Sequence, residues 1–81
     1  MVIEVLGLPN EATAALEAAL AEALARAGRD DATVLRISDP GAMVARSVWR
    51  SPGLRVDGRV VCRGRVPTAG EIRGYLEAAG A

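Results

Sequence analysis

The pair Asp57-Gly58, set between the apolar segments 54–56 and 60–62, constrains this chain more than any other feature. A two-residue connection between such segments closes a β-hairpin. Asp-Gly suits a type I′ turn, whose two central residues take positive φ. Glycine accepts that conformation freely and aspartate tolerates it. Ser51-Pro52 stands just ahead of the first segment, and a proline, having no N–H for a ladder, precedes or begins its strand. The second half of the chain therefore holds an antiparallel pair, and the first half must supply the sheet it joins.

The first half reads as a β-α-β unit. Residues 2–6 (V-I-E-V-L) form a β-branched run that stops at Gly7, a first strand for the interior. Glu4 in its middle either points toward the end of the sheet or pairs with an arginine. A helix follows, with Asn10 as N-cap and Glu11 in the first turn, where the helix dipole favours a carboxylate. Leu16, Leu20 and Leu24 recur at i, i+4, i+8 and give one apolar stripe. Glu22 and Arg26 make an i,i+4 pair of the favourable orientation, and Gly28 is a natural stop. Arg29-Asp30-Asp31 is a polar turn, and residues 33–37 (T-V-L-R-I) are the second strand, parallel to the first by a right-handed crossover. Asp39-Pro40 opens a second helix, kept short by Gly41, with Met43, Val44 and Val48 on its apolar side. After the hairpin, Thr68-Ala69-Gly70-Glu71 is a capping box. Ile72, Tyr75, Leu76 and Ala79 then follow at i, i+3, i+4, i+7 in a last helix ended by Gly80. The order is β-α-β-α-β-β-α, one α/β domain over 1–81, with a four-stranded mixed sheet and helices on both faces.

Composition excludes several kinds of chemistry. The 81 residues contain no histidine, so there is no imidazole base and no histidine metal site. One cysteine, Cys62, allows neither an intrachain disulfide nor a thiolate cluster, and no metal or cofactor is expected. No run approaches the roughly 18 apolar residues that span a bilayer. The start lacks the charged and long apolar regions of a signal peptide, so the expected location is the cytoplasm, without membrane association. Trp49 and Tyr75 are the only aromatic residues, and the core must be aliphatic. Net charge is zero but unevenly distributed. Residues 1–33 hold two arginines against six carboxylates, net −4, and residues 34–81 hold eight against four, net +4.

Three segments carry a family resemblance: M-V-I-E-V-L-G at the start, V-W-R-S-P-G-L-R-V-D-G-R-V-V at 48–61, and G-R-V-P-T-A-G-E-I at 64–72. Together they resemble the small thioredoxin-like "redox-active disulfide protein" family of prokaryotes, a thioredoxin fold of glutaredoxin size, over nearly the whole chain. The resemblance implies that Pro52 is a cis-proline facing the active-site loop and that Ser51 offers its backbone to an extended peptide. It also implies a Cys-x-x-Cys pair at the start of the first helix, where the helix N-terminus stabilises a thiolate. Counted from Gly7, those positions are Asn10 and Thr13, and neither is a thiol. The fold carries over and the dithiol reaction does not.

The expected function is a redox-inactive binding module for a protein or peptide partner. Its groove would be formed by Leu8, Pro9, Asn10, Thr13, Trp49, Ser51 and Pro52, with a homodimer within that reading. The alternative is a thiol-disulfide oxidoreductase or redox carrier working through Cys62. Asn10 and Thr13 either contact a ligand or only cap the helix. Cys62 is either a monothiol site among Arg59, Arg63 and Arg65, a link between chains, or a small apolar residue facing inward. Arg46, Arg50, Arg55, Arg59, Arg63 and Arg65 form either a basic face or a solvated strand surface. Without aromatic platforms or net positive charge, nucleic acid is not the expected partner. Trp49 either anchors an interface or closes the core beneath the second helix.

Overall fold

The computed structural model describes residues 1–29 and 31–80, so Asp30, in the middle of the expected polar turn, lies outside the described residues. Among them the order is β1 (Val2–Leu6), α1 (Glu11–Ala27), β2 (Thr33–Ile37), α2 (Pro40–Ala45), β3 (Gly53–Val56), β4 (Arg59–Arg63) and α3 (Ala69–Gly80). The described strands form one four-stranded sheet in the order β2-β1-β3-β4, with β1 in the middle. β1 pairs in parallel with β2 and antiparallel with β3, and β3 pairs antiparallel with β4.

Local chemistry sets each boundary. Asn10 is extended and its side-chain oxygen accepts from the Thr13 N–H at 3.0 Å, so α1 begins one residue later. Gly28, left-handed at φ 65°, closes it. α1 spans 17 residues, about 25 Å at 1.5 Å per residue. Asp57 and Gly58 take φ of 48° and 83°, the mirror-image turn that a two-residue hairpin requires. Asp57 also fastens the next strand, because its carboxylate accepts from the Val2 N–H at 2.7 Å while its own N–H donates to the Val2 carbonyl. The capping box of α3 is closed in both directions: Glu71 N–H to Thr68 Oγ1 at 3.1 Å, and Thr68 N–H to Glu71 Oε1 at 3.0 Å. Gly80 is the last residue of that helix.

The two faces of the sheet are covered unequally. Ile3 and Val5 of β1, Leu54 and Val56 of β3 and Cys62 of β4 face α1 and α3, where Leu16, Leu20, Ala23, Ile72 and Leu76 complete an aliphatic core. The alternate residue Leu6 faces the other way, onto Met43 and Val48. α2 has only six residues and shields only part of that face. Val44, expected on its apolar side, turns outward. β2 is a sheet edge, and its Val34 and Leu35 are each 45% exposed, so it is less buried than the other parallel strand.

Glu4 resolves its own alternatives. Its side chain lies on the α2 face and the residue is only 7% exposed. Arg46 Nε reaches one carboxylate oxygen at 2.7 Å and Arg55 Nη1 reaches the other at 2.8 Å. A buried carboxylate is tolerable when each oxygen has a charged donor. This corrects the reading of Arg46 and Arg55 as part of a solvated strand surface: both are half-buried ion-pair partners.

Two consequences can be measured. Glu4→Ala strands two half-buried guanidinium groups. It should cost about 2–3 kcal/mol, below the 3–5 kcal/mol typical of fully buried pairs, because both arginines keep contact with water. An unchanged urea midpoint would show that the ion pairs do not hold the sheet. The Arg65 guanidinium, with help from the Thr68 N–H, lowers the Glu71 carboxyl from 4.5 to about 2. A carboxyl depressed on folding adds stability above its unfolded value and loses it as pH falls from 4.5 toward 2. Glu71→Gln should flatten that part of the acid-unfolding curve and leave the curve above pH 5 parallel to wild type.

Candidate functional site

One end of the sheet collects most of the residues singled out in the sequence. β1 and β2 end there, and β3 begins there. The pairing of Leu6 with Gly53 sets the loop after β1 beside the segment before β3. Gly7 leaves β1 by donating its N–H to the Ile37 carbonyl at 2.9 Å, which ties the end of β1 to the end of β2. Leu8, Pro9 and Asn10 are exposed and Thr13 is buried. Across β1, the Ser51–Pro52 peptide is cis, Ser51 is exposed and Pro52 is buried.

Asn10 and Thr13 have diverged in role. The Asn10 side chain caps α1, as described above. Thr13 is 6% exposed, and its hydroxyl is a buried side-chain oxygen without a hydrogen-bond partner among the described residues. It presses on Gly7, where an added Cβ would collide with the Thr13 hydroxyl. Gly7 is therefore required by close approach, since its φ is not in the left-handed range.

A cavity of about 130 Å³ opens on the β2 side of this end, lined by Val5, Gly7, Pro9, Thr13, Glu17, Arg36 and Ser38. It shares Pro9 and Thr13 with the expected groove, whereas Trp49, Ser51 and Pro52 lie across β1 and do not line it. Pockets for drug-sized ligands start near 300 Å³, so this one suits a side-chain tip or a few waters. Its charged wall is the ion pair between Arg36 and Glu17. Sequence reasoning missed that pair. The available signal was Arg36 sharing the face of Val34 on a strand beside α1, which puts a cation opposite the acidic helix.

Cys62 is 8% exposed and belongs to the core cluster beneath α1 and α3; its thiol makes a weak 3.7 Å contact to the Arg65 carbonyl. The inward reading is the one that applies. β4 is a sheet edge, but the thiol does not face outward from it. Arg65 is committed to Glu71 through two bonds, at 2.7 and 3.2 Å. Trp49 is 68% exposed and does not close the core; the Arg63 guanidinium stands over its ring, 5.3 Å from the centroid.

Residues 1–77 match the thioredoxin domain family, nearly the full length of the chain. The chain belongs to that family, and its mixed four-stranded sheet with flanking helices is a thioredoxin-like fold. No curated protein and no solved structure matches it.

The orphaned hydroxyl gives a test of the local geometry. Thr13→Val keeps shape and removes a buried polar group without a partner, so it should stabilise the domain by about 1 kcal/mol in urea unfolding. A loss of stability instead would mean that the hydroxyl has a partner.

Proposed function

We propose that this chain is a thioredoxin-fold binding module without dithiol chemistry. It would present the end of the sheet between the α1 N-terminus and Ser51–Pro52 to a protein or peptide partner. Its closer kinship would be with the redox-active disulfide proteins whose segments it resembles. The observation that carries this reading is the state of the α1 N-terminus. The two positions that would hold cysteines are a capping asparagine and a buried threonine. An activated thiolate draws its low pKa from a helix N-terminus or a nearby cation, and it must be accessible. The single thiol lies in the core instead, so a redox carrier based on Cys62 would first have to open the core between β4 and the two long helices. Leu8, Pro9, Ser51 and Trp49 remain exposed at the same end of the sheet, as a binding role requires.

Three experiments test the proposal. Wild-type protein should not accelerate insulin reduction by dithiothreitol, since one thiol cannot cycle to a disulfide within the chain. Cys62 should resist iodoacetamide until denaturant is added. Turnover by the wild type that vanishes in Cys62→Ser would replace the binding module with a monothiol enzyme. Introducing Asn10→Cys and Thr13→Cys together places two thiols at i and i+3 on the first turn of α1, within reach of a disulfide. The double variant loses a cap worth about 1 kcal/mol. It should still fold, form the disulfide reversibly in glutathione buffer and gain reductase activity. A folded variant whose cysteines never pair would show that the loop is misaligned with the family's active site.

A further inference from the structure

The arginines of this chain are unevenly matched. Arg26, Arg29, Arg36 and Arg65 each stand within 4.0 Å of a carboxylate of their own, at Glu22, Asp31, Glu17 and Glu71. Arg46 and Arg55 share the single carboxylate of Glu4. Arg50, Arg59, Arg63 and Arg73 have no carboxylate within that distance among the described residues. Arg46, Arg55 and Arg63 lie on one face. Arg55 pairs with Glu4 on the α2 side of the sheet, and Arg63 pairs with Gly53, which alternates with Leu54 and so points the same way. Arg46 arrives there from the end of α2. Arg50 joins their edge, its stem packed along Gly64 just past the end of β4. Two of these guanidinium groups share the Glu4 carboxylate, and the other two, beside β4, have none, in a molecule whose net charge is zero.

Trp49 lies within this cationic region. Arg63 is fixed by donating from Nη1 to the Ser47 carbonyl at 2.8 Å, and its guanidinium covers one face of the indole. At 68% exposure, the rest of the ring is open to solvent. Beside it runs β4, an edge strand with one side of its backbone free for a further strand. Arginines on an edge strand commonly serve only to discourage self-association. That role has no need of a large exposed indole held in place by one of them. An aromatic anchor, uncompensated guanidinium groups and an open strand edge are the parts of a peptide-docking surface.

We propose that the α2 face beside β4, centred on Trp49, Arg50 and Arg63, docks an acidic extended segment of a partner protein. The segment would run along the β4 edge, set carboxylates against Arg50 and Arg63, and lay an apolar side chain on the open face of Trp49. This rests on the binding-module reading only through Trp49, and adds to it the partner's chemistry. A nucleic-acid strand is the weaker fit. The accessible aromatic platform is a single ring, whereas single-stranded nucleic acid is held by successive stacked bases.

Trp49 is the only tryptophan, so its emission reports directly on the surface. The probe is a twelve-residue synthetic peptide alternating glutamate with leucine, titrated at 50 mM NaCl. Saturable quenching or a spectral shift is expected, weakening about tenfold or more by 300 mM NaCl as the ion pairs are screened. Arg50→Gln and Arg63→Gln should each weaken binding about fivefold, whereas Arg73→Gln, an exposed arginine of α3 outside the surface, should leave it unchanged. Trp49→Leu, followed by calorimetry, should weaken binding at least as much as either arginine change. Circular dichroism checks that each variant is folded, and the wild-type salt and peptide comparisons stand without any variant. No saturation up to about 1 mM peptide, equal binding of the lysine-for-glutamate peptide, tighter binding of oligothymidylate, or equal damage from Arg73→Gln would each overturn the proposal. If reductase assays stay silent while the peptide fails to bind, this surface falls and the redox-inactive reading stands. Reductase activity would remove that reading whatever the peptide does.

Discussion

The carboxylate of Glu4 sits in the central strand on the face that α2 covers only in part, and much of the fold's connectivity passes through it. Its two oxygens bind Arg46 and Arg55, which lie 42 and 51 residues away in sequence. One contact holds the end of a six-residue helix that has little apolar area of its own. The other reinforces the pairing of β1 with β3, and through β3 the attachment of the whole hairpin. On the opposite face the same strand needs no such device, since Ile3 and Val5 pack under two long helices. The sheet is therefore held by apolar burial on one side and by a charged clasp on the other. A domain of this size buries only roughly 60% of its unfolded surface, so a thin second layer must be fixed by specific contacts.

Most of the architecture was legible because each boundary carries its own short-range chemistry. Asp57-Gly58 as a turn, the Asn10 cap, Gly28 and the Thr68-Glu71 box each act over a few neighbouring residues, and sequence shows such spacing directly. The order of strands followed from the β-α-β unit and the hairpin together. What sequence did not show depends on long-range register. The break in regular pairing between Leu54 and Arg55 is one case, and it lets Cys62 face the core while Arg63 faces the opposite side. The Asp57 carboxylate holding the start of β1 is another, because nothing local to Asp57 points to Val2. Exposure of β2 was hidden for a similar reason: nothing within T-V-L-R-I sets its place, and only the sheet order makes it an edge.

The candidate site was legible in outline and blurred in detail. The loop after β1 and the segment before β3 meet as the β1–β3 pairing requires. Yet the cavity at that end lies on the β2 side, built from Val5, Gly7, Glu17, Arg36 and Ser38 as much as from Pro9 and Thr13. Its walls come from the parallel crossover, whose side-chain pairing spacing alone does not give. Trp49 and Cys62 stood between alternatives because both residue types are at home in either setting. The bulge decided one of them, and the shortness of α2 decided the other.

That shortness ties the two halves of the functional reading together. A longer α2 would cover the sheet face that carries Arg55 and Arg63, and a core built there would take up Trp49. With six residues, α2 buries Met43 and leaves the indole outside, where only a guanidinium stacks on it. The opposite face is packed under α1 and α3 over β1, β3 and β4, and it holds the lone thiol. The fold thus separates its chemistry by face: the group that could react is enclosed, and the groups that could recognise a partner are open. In an oxidoreductase of this fold the accessible nucleophile would sit at the α1 N-terminus, where free N–H groups stabilise a thiolate. Here the Asn10 side chain occupies one of those N–H groups and Thr13 is buried behind it, so the same helix end contributes to stability instead. The proposed binding role needs only an exposed surface of suitable charge and shape, and does not depend on a cysteine pair at that helix end.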